Sequence, residues 1–255
     1  MQEIVSKDNS LVKKVKKLLT DKKYRTATQL FVCESKKVID AFIGNNFVLD
    51  LLFVSKNSKY ANDVRKYNKV ILIYNKVYTH LSLLEHGDGM IAVFKMPKID
   101  KKICDSKIMI FDQIQNPNNM GAIMRSAAAF NMNQLILANS SVDIYNPKVI
   151  QSSMGYGYDI SIKIVTDLKQ TIKELQKRGI KVYATEANAK AIRLPNVKLS
   201  KKCAVILGNE GKGIKKDIIP LCDGSIFIPM NKNVDSLNIS VAASIIMCKI
   251  NNEGN

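Results

Sequence analysis

Apolar residues first recur at helical spacing near the start of the chain. Leu11, Val12, Val15, Leu18 and Leu19 share one face, with Asn9 or Ser10 placed to cap the helix. The pattern then changes to short apolar runs divided by polar turns. "QLFVCE" and "LDLLFVS" read as strands with a helix around Lys36 to Phe42 between them, and "KVILIYN" and "GMIAVFK" read as two more. The stretch "MPKIDKKICDSK" has Pro97, mixed charge and no apolar period, which predicts a linker. Beyond it the alternation restarts with six strands: "KIMIFDQI", "QLILAN", "ISIKIV", "IKVYAT", "CAVILGN" and "GSIFIPM". Helices are predicted at "PNNMGAIMRSAAAF", "NPKVIQSSMG", "DLKQTIKELQKRG" and "SLNISVAASIIMCKI". The expected organisation is a small α/β domain over 1–96, a linker over 97–106 and a larger α/β domain over 107–255. Strands alternating with helices imply a mostly parallel, helix-covered sheet. Because knots are rare, the strand order expected from the pattern is an unknotted, Rossmann-like one. Ligands on such sheets lie beyond the carboxyl ends of the strands, which singles out the loops after Ile114, Leu207 and Ile228.

Charge sharpens this picture. Against 22 acidic residues stand 39 Lys and Arg, a net +17, which suits a polyanionic partner. Charge alone leaves nucleic acid and an anionic membrane as alternatives. The densest basic run lies on the first helix: Lys13, Lys14, Lys16 and Lys17 there, with Arg25 just beyond, are the candidate RNA contacts. The start of the chain has no apolar signal core, and no segment approaches the ~20 apolar residues of a membrane span. Five scattered cysteines without a C-x-x-C pair read as reduced thiols, so a cytoplasmic protein is expected. His80 and His86 lack metal-ligand spacing, so no metal site is expected.

The three loops carry polar groups that packing does not explain. "LGNEGKGI" has glycines at 208, 211 and 213 that permit close backbone approach, and sets Glu210 between them. It is neither a dinucleotide fingerprint nor a phosphate-binding loop, since the required spacings are missing. "IPMNKNVDSLNIS" opens a helix, with Ser236 suited to cap it and Asn238 left over. The first loop brings Asn118 and Asn119 to a helix start, with Arg125 two turns further in, among residues otherwise trimmed to Ala and Ser.

In that order, "NPNNMGAIMRSAAAF", "VILGNEGKGI" and "IPMNKNVDSLNISVAASI" resemble the three signature motifs of the SpoU/TrmH class of RNA ribose 2′-O-methyltransferases, in the SPOUT superfamily. The resemblance runs from about Lys107 to Ile250. The stretches "SKDNSLVKKVKKLL" and "FVCESKKVIDAF" look like the L30e-like substrate-binding domain that many members carry first. The resemblance implies a SPOUT α/β fold with a deep trefoil knot, S-adenosyl-L-methionine as methyl donor, and a homodimer joined by the helices after the first and third loops. It implies that Asn119, Arg125, Glu210, Ser236 and Asn238 form the active site. It also places the donor near Leu207, Gly208, Ile228, Met230 and Leu237, held largely by backbone groups and apolar side chains. The function implied is methylation of a ribose in structured RNA, ribosomal RNA above all. The alternatives are a tRNA 2′-O-methyltransferase and a catalytically inactive RNA-binding or assembly factor on the same fold. Asn116, Asn131, Ser35 and Lys232 stand where the family usually has Asp, Gly, Gly and Gly.

Overall fold

The computed structural model describes residues 2–253 apart from 63, 65–66, 98–101, 139, 187–190 and 201. Most of the linker expected over 97–106 that precedes Lys102 therefore lies outside the described residues. Residues 1–98 together with 143–155 form one compact unit, and 99–142 with 156–255 form a second.

In the first unit the chain runs β1 (Gln2–Ile4), α1 (Ser10–Thr20), α2 (Lys22–Thr28), β2 (Leu30–Glu34), α3 (Lys36–Gly44), β3 (Leu49–Ser55), β4 (Val70–Ile73), α4 (Asn75–Leu81) and β5 (Met90–Lys95). Asn9 caps α1, its side chain accepting from the Leu11 amide at 2.9 Å. The apolar stripe of α1 buries Val12, Val15, Leu18 and Leu19 against Leu30, Val32 and Phe53 of the sheet. The strands stand in the order β1-β4-β3-β5-β2, parallel through β3 and antiparallel on both sides of β5. Three elements escaped the sequence pattern: β1, α2 and α4 are three to seven residues long, too short to show a period.

Every residue of β2 is buried, so its second face needs a cover. Part of that cover comes from far along the chain. Helix Pro147–Ser153 follows "NPKVIQSSMG" as read from the sequence, but it packs within this first unit. Tyr145, just before it, lies with its ring centroid 4.9 Å from that of Phe31, beside Phe42 and Phe94. Burial, and then the charge of Asp143, push the Tyr145 phenol well above its usual range.

Arg25, expected among the RNA contacts, belongs to this join instead. It is 3% exposed. Its Nε and Nη2 donate to Asp143 Oδ2 at 3.0 and 2.7 Å, and Nη1 donates to the Leu18 carbonyl at 2.7 Å. A buried guanidinium that turns Nε, Nη1 and Nη2 onto the protein is not presented to a phosphate.

The second unit holds β6 (Ile108–Phe111), α5 (Pro117–Ala129) and β7 (Gln134–Ala138), and, after α6 (Pro147–Ser153) of the first unit, β8 (Ser161–Val165), α7 (Leu168–Lys177), β9 (Lys181–Thr185), β10 (Ile192–Arg193), β11 (Cys203–Leu207), β12 (Gly224–Phe227) and α8 (Ile239–Glu253). The seven strands are ordered β10-β12-β9-β11-β6-β7-β8, and every recorded pairing is parallel. The two-residue β10 adds an edge that no pattern could show. One face of the sheet packs Ile108, Ile110, Val182 and Ile206 against Leu168, Ile172 and Leu175 of α7. A Rossmann-like order would put β9 beside β6. Instead β11 sits between them, so that expectation is overturned. The consequence is that the carboxyl ends of β6, β11 and β9 are immediate neighbours.

Replacing Arg25 with Ala strands the Asp143 carboxylate and a buried carbonyl, which should cost about 3–5 kcal/mol. Urea unfolding measures this, and a loss below ~1 kcal/mol would place the pair among ordinary surface ion pairs.

Candidate active site

Three chain segments meet beyond the sheet, and each is shaped by a local hydrogen bond. After β6, the Asn116 side chain caps α5 by accepting from the amides of Asn118 and Asn119 at 2.8 and 3.4 Å, with Pro117 pre-set at the first helical position. A neutral Asn thus performs the capping at a position where the family usually has Asp. After β11, Asn209 and Gly213 exchange backbone hydrogen bonds at 3.0 and 2.9 Å, closing the loop. The Asn209 side chain accepts from the amides of Gly211 and Lys212 and donates to the Gln113 carbonyl at 2.9 Å. At the third segment the cap of α8 is Asn238, whose Oδ1 accepts from Ser240 N at 2.8 Å. Ser236, expected in that role, is exposed on the strand-to-helix connection instead.

These segments are joined by one directional chain of side chains. Glu210 Oε1 accepts from Asn119 Nδ2 at 3.2 Å and from the Asn116 amide at 3.4 Å. Asn119 Oδ1 in turn accepts from Asn238 Nδ2 at 3.0 Å. An ionised carboxylate only accepts, so it dictates which way both amides point.

Two adjoining cavities surround this chain. The larger, about 890 Å³, is lined by Asn119, Leu207, Gly208, Glu210, Ser236, Leu237 and Asn238. The smaller, about 190 Å³, has a largely apolar wall of Leu194, Ile226, Ile228, Met230, Leu237 and Ile246. Four of the five residues expected in catalysis and all five expected at the donor therefore line one or other cavity. Arg125 lines neither; it is exposed on α5 and makes no hydrogen bond or ion pair among the described residues. The small residues around it have a partner within the chain. Helices α5 and α8 pack together, with Ser126 Oγ 2.7 Å from Ser244 Oγ.

Gly208 is required by the loop itself. A Cβ there would lie 2.0 Å from Gly213 C and Ile214 N. The sequence reading missed Asn209 as the clasp of this loop, and Thr185 and Glu186 as cavity residues. The signal for the latter pair was present: they follow the apolar strand "IKVYA" at its carboxyl end.

The candidate RNA-contact lysines differ in their freedom. Lys16 Nζ donates to the His80 carbonyl at 2.7 Å, and Lys14 lies 3.7 Å from Asp50. Lys13, beside the exposed Asp8, and Lys17, 4.5 Å over the Tyr24 ring, are the exposed members. All five cysteines are free. Burial, with Glu253 adding, pushes the Cys203 thiol up to about 12, and burial with Asp223 pushes Cys222 to about 11, so neither is a nucleophile near neutral pH. Among the described residues no cluster of His, Cys, Asp or Glu could hold a metal ion, and no helix is long and apolar enough to cross a membrane.

The fold is that of an RNA 2′-O-ribose methyltransferase. A crystal structure of such an enzyme superposes with a TM-score of 0.86 over 99% of both chains, at 24% identity. The methyltransferase AviRb of Streptomyces viridochromogenes, in complex with S-adenosylmethionine, does so at 0.85 over 97% of this chain and all of that one, at 23% identity. Residues 106–248 match the SpoU rRNA Methylase family, and the chain belongs to that family. Residues 9–92 match the MRM3-like substrate binding domain. Across 97% of its length and 98% of the relative's, the chain is 27% identical to the 23S rRNA (guanosine(2553)-2′-O)-methyltransferase RlmP of Bacillus subtilis. It is 34% identical to the 23S rRNA methyltransferase RlmB of Xanthomonas campestris, over 55% of this chain and 56% of that one.

Gly208→Ala should disrupt the loop rather than merely crowd a ligand. Amide hydrogen exchange should accelerate at Asn209 and Gly213 together with loss of donor binding; protected amides with lost binding would mean that the glycine serves the ligand alone.

Proposed function

We propose that this protein methylates the 2′-oxygen of a nucleotide in ribosomal RNA, as a homodimer in the cytoplasm. Likeness to RlmP along nearly the whole chain supports ribosomal over transfer RNA. The observation that carries catalysis, rather than RNA binding alone, is the intact chain Glu210–Asn119–Asn238 lining the larger cavity. An assembly factor would have no need to keep it.

The residues fit the donor. The small apolar cavity suits a purine, and the polar cavity beside it offers a carboxylate at Glu210 that complements a sulfonium. When bound, the donor supplies an electrophilic methyl group. The protein must then align the ribose hydroxyl and stabilise the negative charge that grows on its oxygen as the proton leaves. Asn119 and Asn238 are held in one orientation by Glu210, so their dipoles cost no reorganisation during the reaction. Arg125 serves as a clamp on the RNA phosphate and the developing oxyanion through its planar guanidinium fork, and the proton leaves to phosphate or water.

The same helices support the dimer reading. Val241 and Ile245 of α8, four residues apart, are large apolar side chains left exposed on one face. The interleaved strand order is compatible with a trefoil knot that threads the C-terminal segment past the catalytic loop. We include that knot in the proposal.

Arg125→Ala should leave donor affinity near that of the wild type and slow methyl transfer by about 10²–10³-fold, with little rescue by Arg125→Lys. Single-turnover methylation at saturating RNA and donor reads this directly; a near wild-type rate would reduce the arginine to a docking residue.

On the first unit, Lys13→Gln with Lys17→Gln should flatten the salt dependence of RNA binding by up to about two units of slope. An unchanged slope would assign this face to solvent.

A further inference from the structure

We infer that Glu186 recognises the ribose hydroxyls of the methyl donor. This rests on the donor reading given above and assigns a residue to a part of the ligand that no signature motif covers.

Glu186 stands immediately beyond β9, at the carboxyl end of the sheet. Both its backbone and its side chain are tied to β12. Its amide donates to the Ile226 carbonyl at 3.0 Å, and its Oε2 accepts from Ser225 Oγ at 3.0 Å. Oε1 has no hydrogen-bond partner among the described residues. The side chain lines the small cavity, whose lining is otherwise mostly apolar apart from Thr185, Asp235 and Ser236. This half-buried carboxylate, held through one oxygen, presents the other as an acceptor for a ligand donor in that cavity.

The donor molecule offers three donor groups: the purine amine, the vicinal ribose hydroxyls and the methionine ammonium. The purine suits the apolar wall of the small cavity. The sulfonium end belongs in the larger cavity with Asn119 and Asn238. The ribose joins the two, and so falls where the cavities meet, at their shared residues Thr185, Ser236, Leu237 and Ala242. Glu186 is the next residue after Thr185. The Thr185 hydroxyl is already committed to the Ile206 carbonyl at 2.9 Å. Asp235 also borders the small cavity, but it is exposed and no side chain among the described residues holds it. An acidic side chain at a strand's carboxyl end is the pairing that dinucleotide-binding sheets use for ribose hydroxyls.

The test is calorimetric and needs no turnover. S-adenosylhomocysteine and its 2′,3′-dideoxyribose analogue are titrated into the wild type and Glu186→Ala, with circular dichroism confirming the fold. Loss of a charge-assisted hydrogen bond should weaken S-adenosylhomocysteine binding to the variant by about tenfold or more. The dideoxy analogue should bind the wild type more weakly by a similar factor, yet bind the variant no worse than S-adenosylhomocysteine does. Additive losses, or a variant within about twofold of the wild type, would overturn the assignment. A wild type that fails to bind S-adenosylhomocysteine at all would overturn the donor reading itself, and this assignment with it. If Glu186→Ala does not fold, the wild-type comparison of the two ligands still decides: equal affinities for both refute the role.

Discussion

The polarity of the whole site is set by one acceptor-only group. Glu210 sits on a loop clasped by Asn209 and Gly213, and it can only receive hydrogen bonds. Asn119 must therefore turn its amide nitrogen toward Glu210 and its oxygen toward Asn238. Asn238 must then turn its own oxygen toward the start of α8, where it caps the helix. Each of these bonds is worth only about 1 kcal/mol in net stability. Their value lies in leaving two amide groups with a single orientation before any ligand arrives. Pre-set dipoles of this kind stabilise developing charge without reorganising.

That chain closes only because the strands stand in an unusual order. With β11 between β6 and β9, the loop bearing Glu210 opens directly beside the loop that starts α5. A Rossmann-like order would separate them by a strand, about 4.8 Å further. The small residues of α5 and α8 serve the same end. Ser126 and Ser244 meet across the helix pair, where their small side chains let the helices approach closely. Gly208 is a third such concession, since its loop turns back within van der Waals range of where a side chain would be.

The positive charge divides between structure and surface. Arg25 is spent inside the first unit on Asp143 and a carbonyl, and Lys16 on the last turn of α4. Lys13 and Lys17 remain outward on α1. A basic run in the sequence thus overstates the cationic surface, because periodicity assigns a face to a residue but says nothing of what waits on that face. Asp143 lies more than a hundred residues from Arg25, in a stretch whose own pattern reads as part of the other α/β alternation.

From the sequence by itself came the two α/β regions, every described strand longer than three residues, the start of α1 at Asn9 or Ser10, and the three motif-bearing loops. These are local: they follow from apolar period, turn residues and short-range hydrogen bonds, and the ordered motifs sufficed to recognise the family. Tertiary structure alone decided the place of β11, the capture of residues 143–155 by the first unit, the burial of Arg25, and the exchange of the capping role from Ser236 to Asn238. Each of these depends on a partner distant in the chain. Thr185 and Glu186 lay between the two cases, polar residues at a legible strand end whose meaning appeared only when β12 and the cavity wall closed around them.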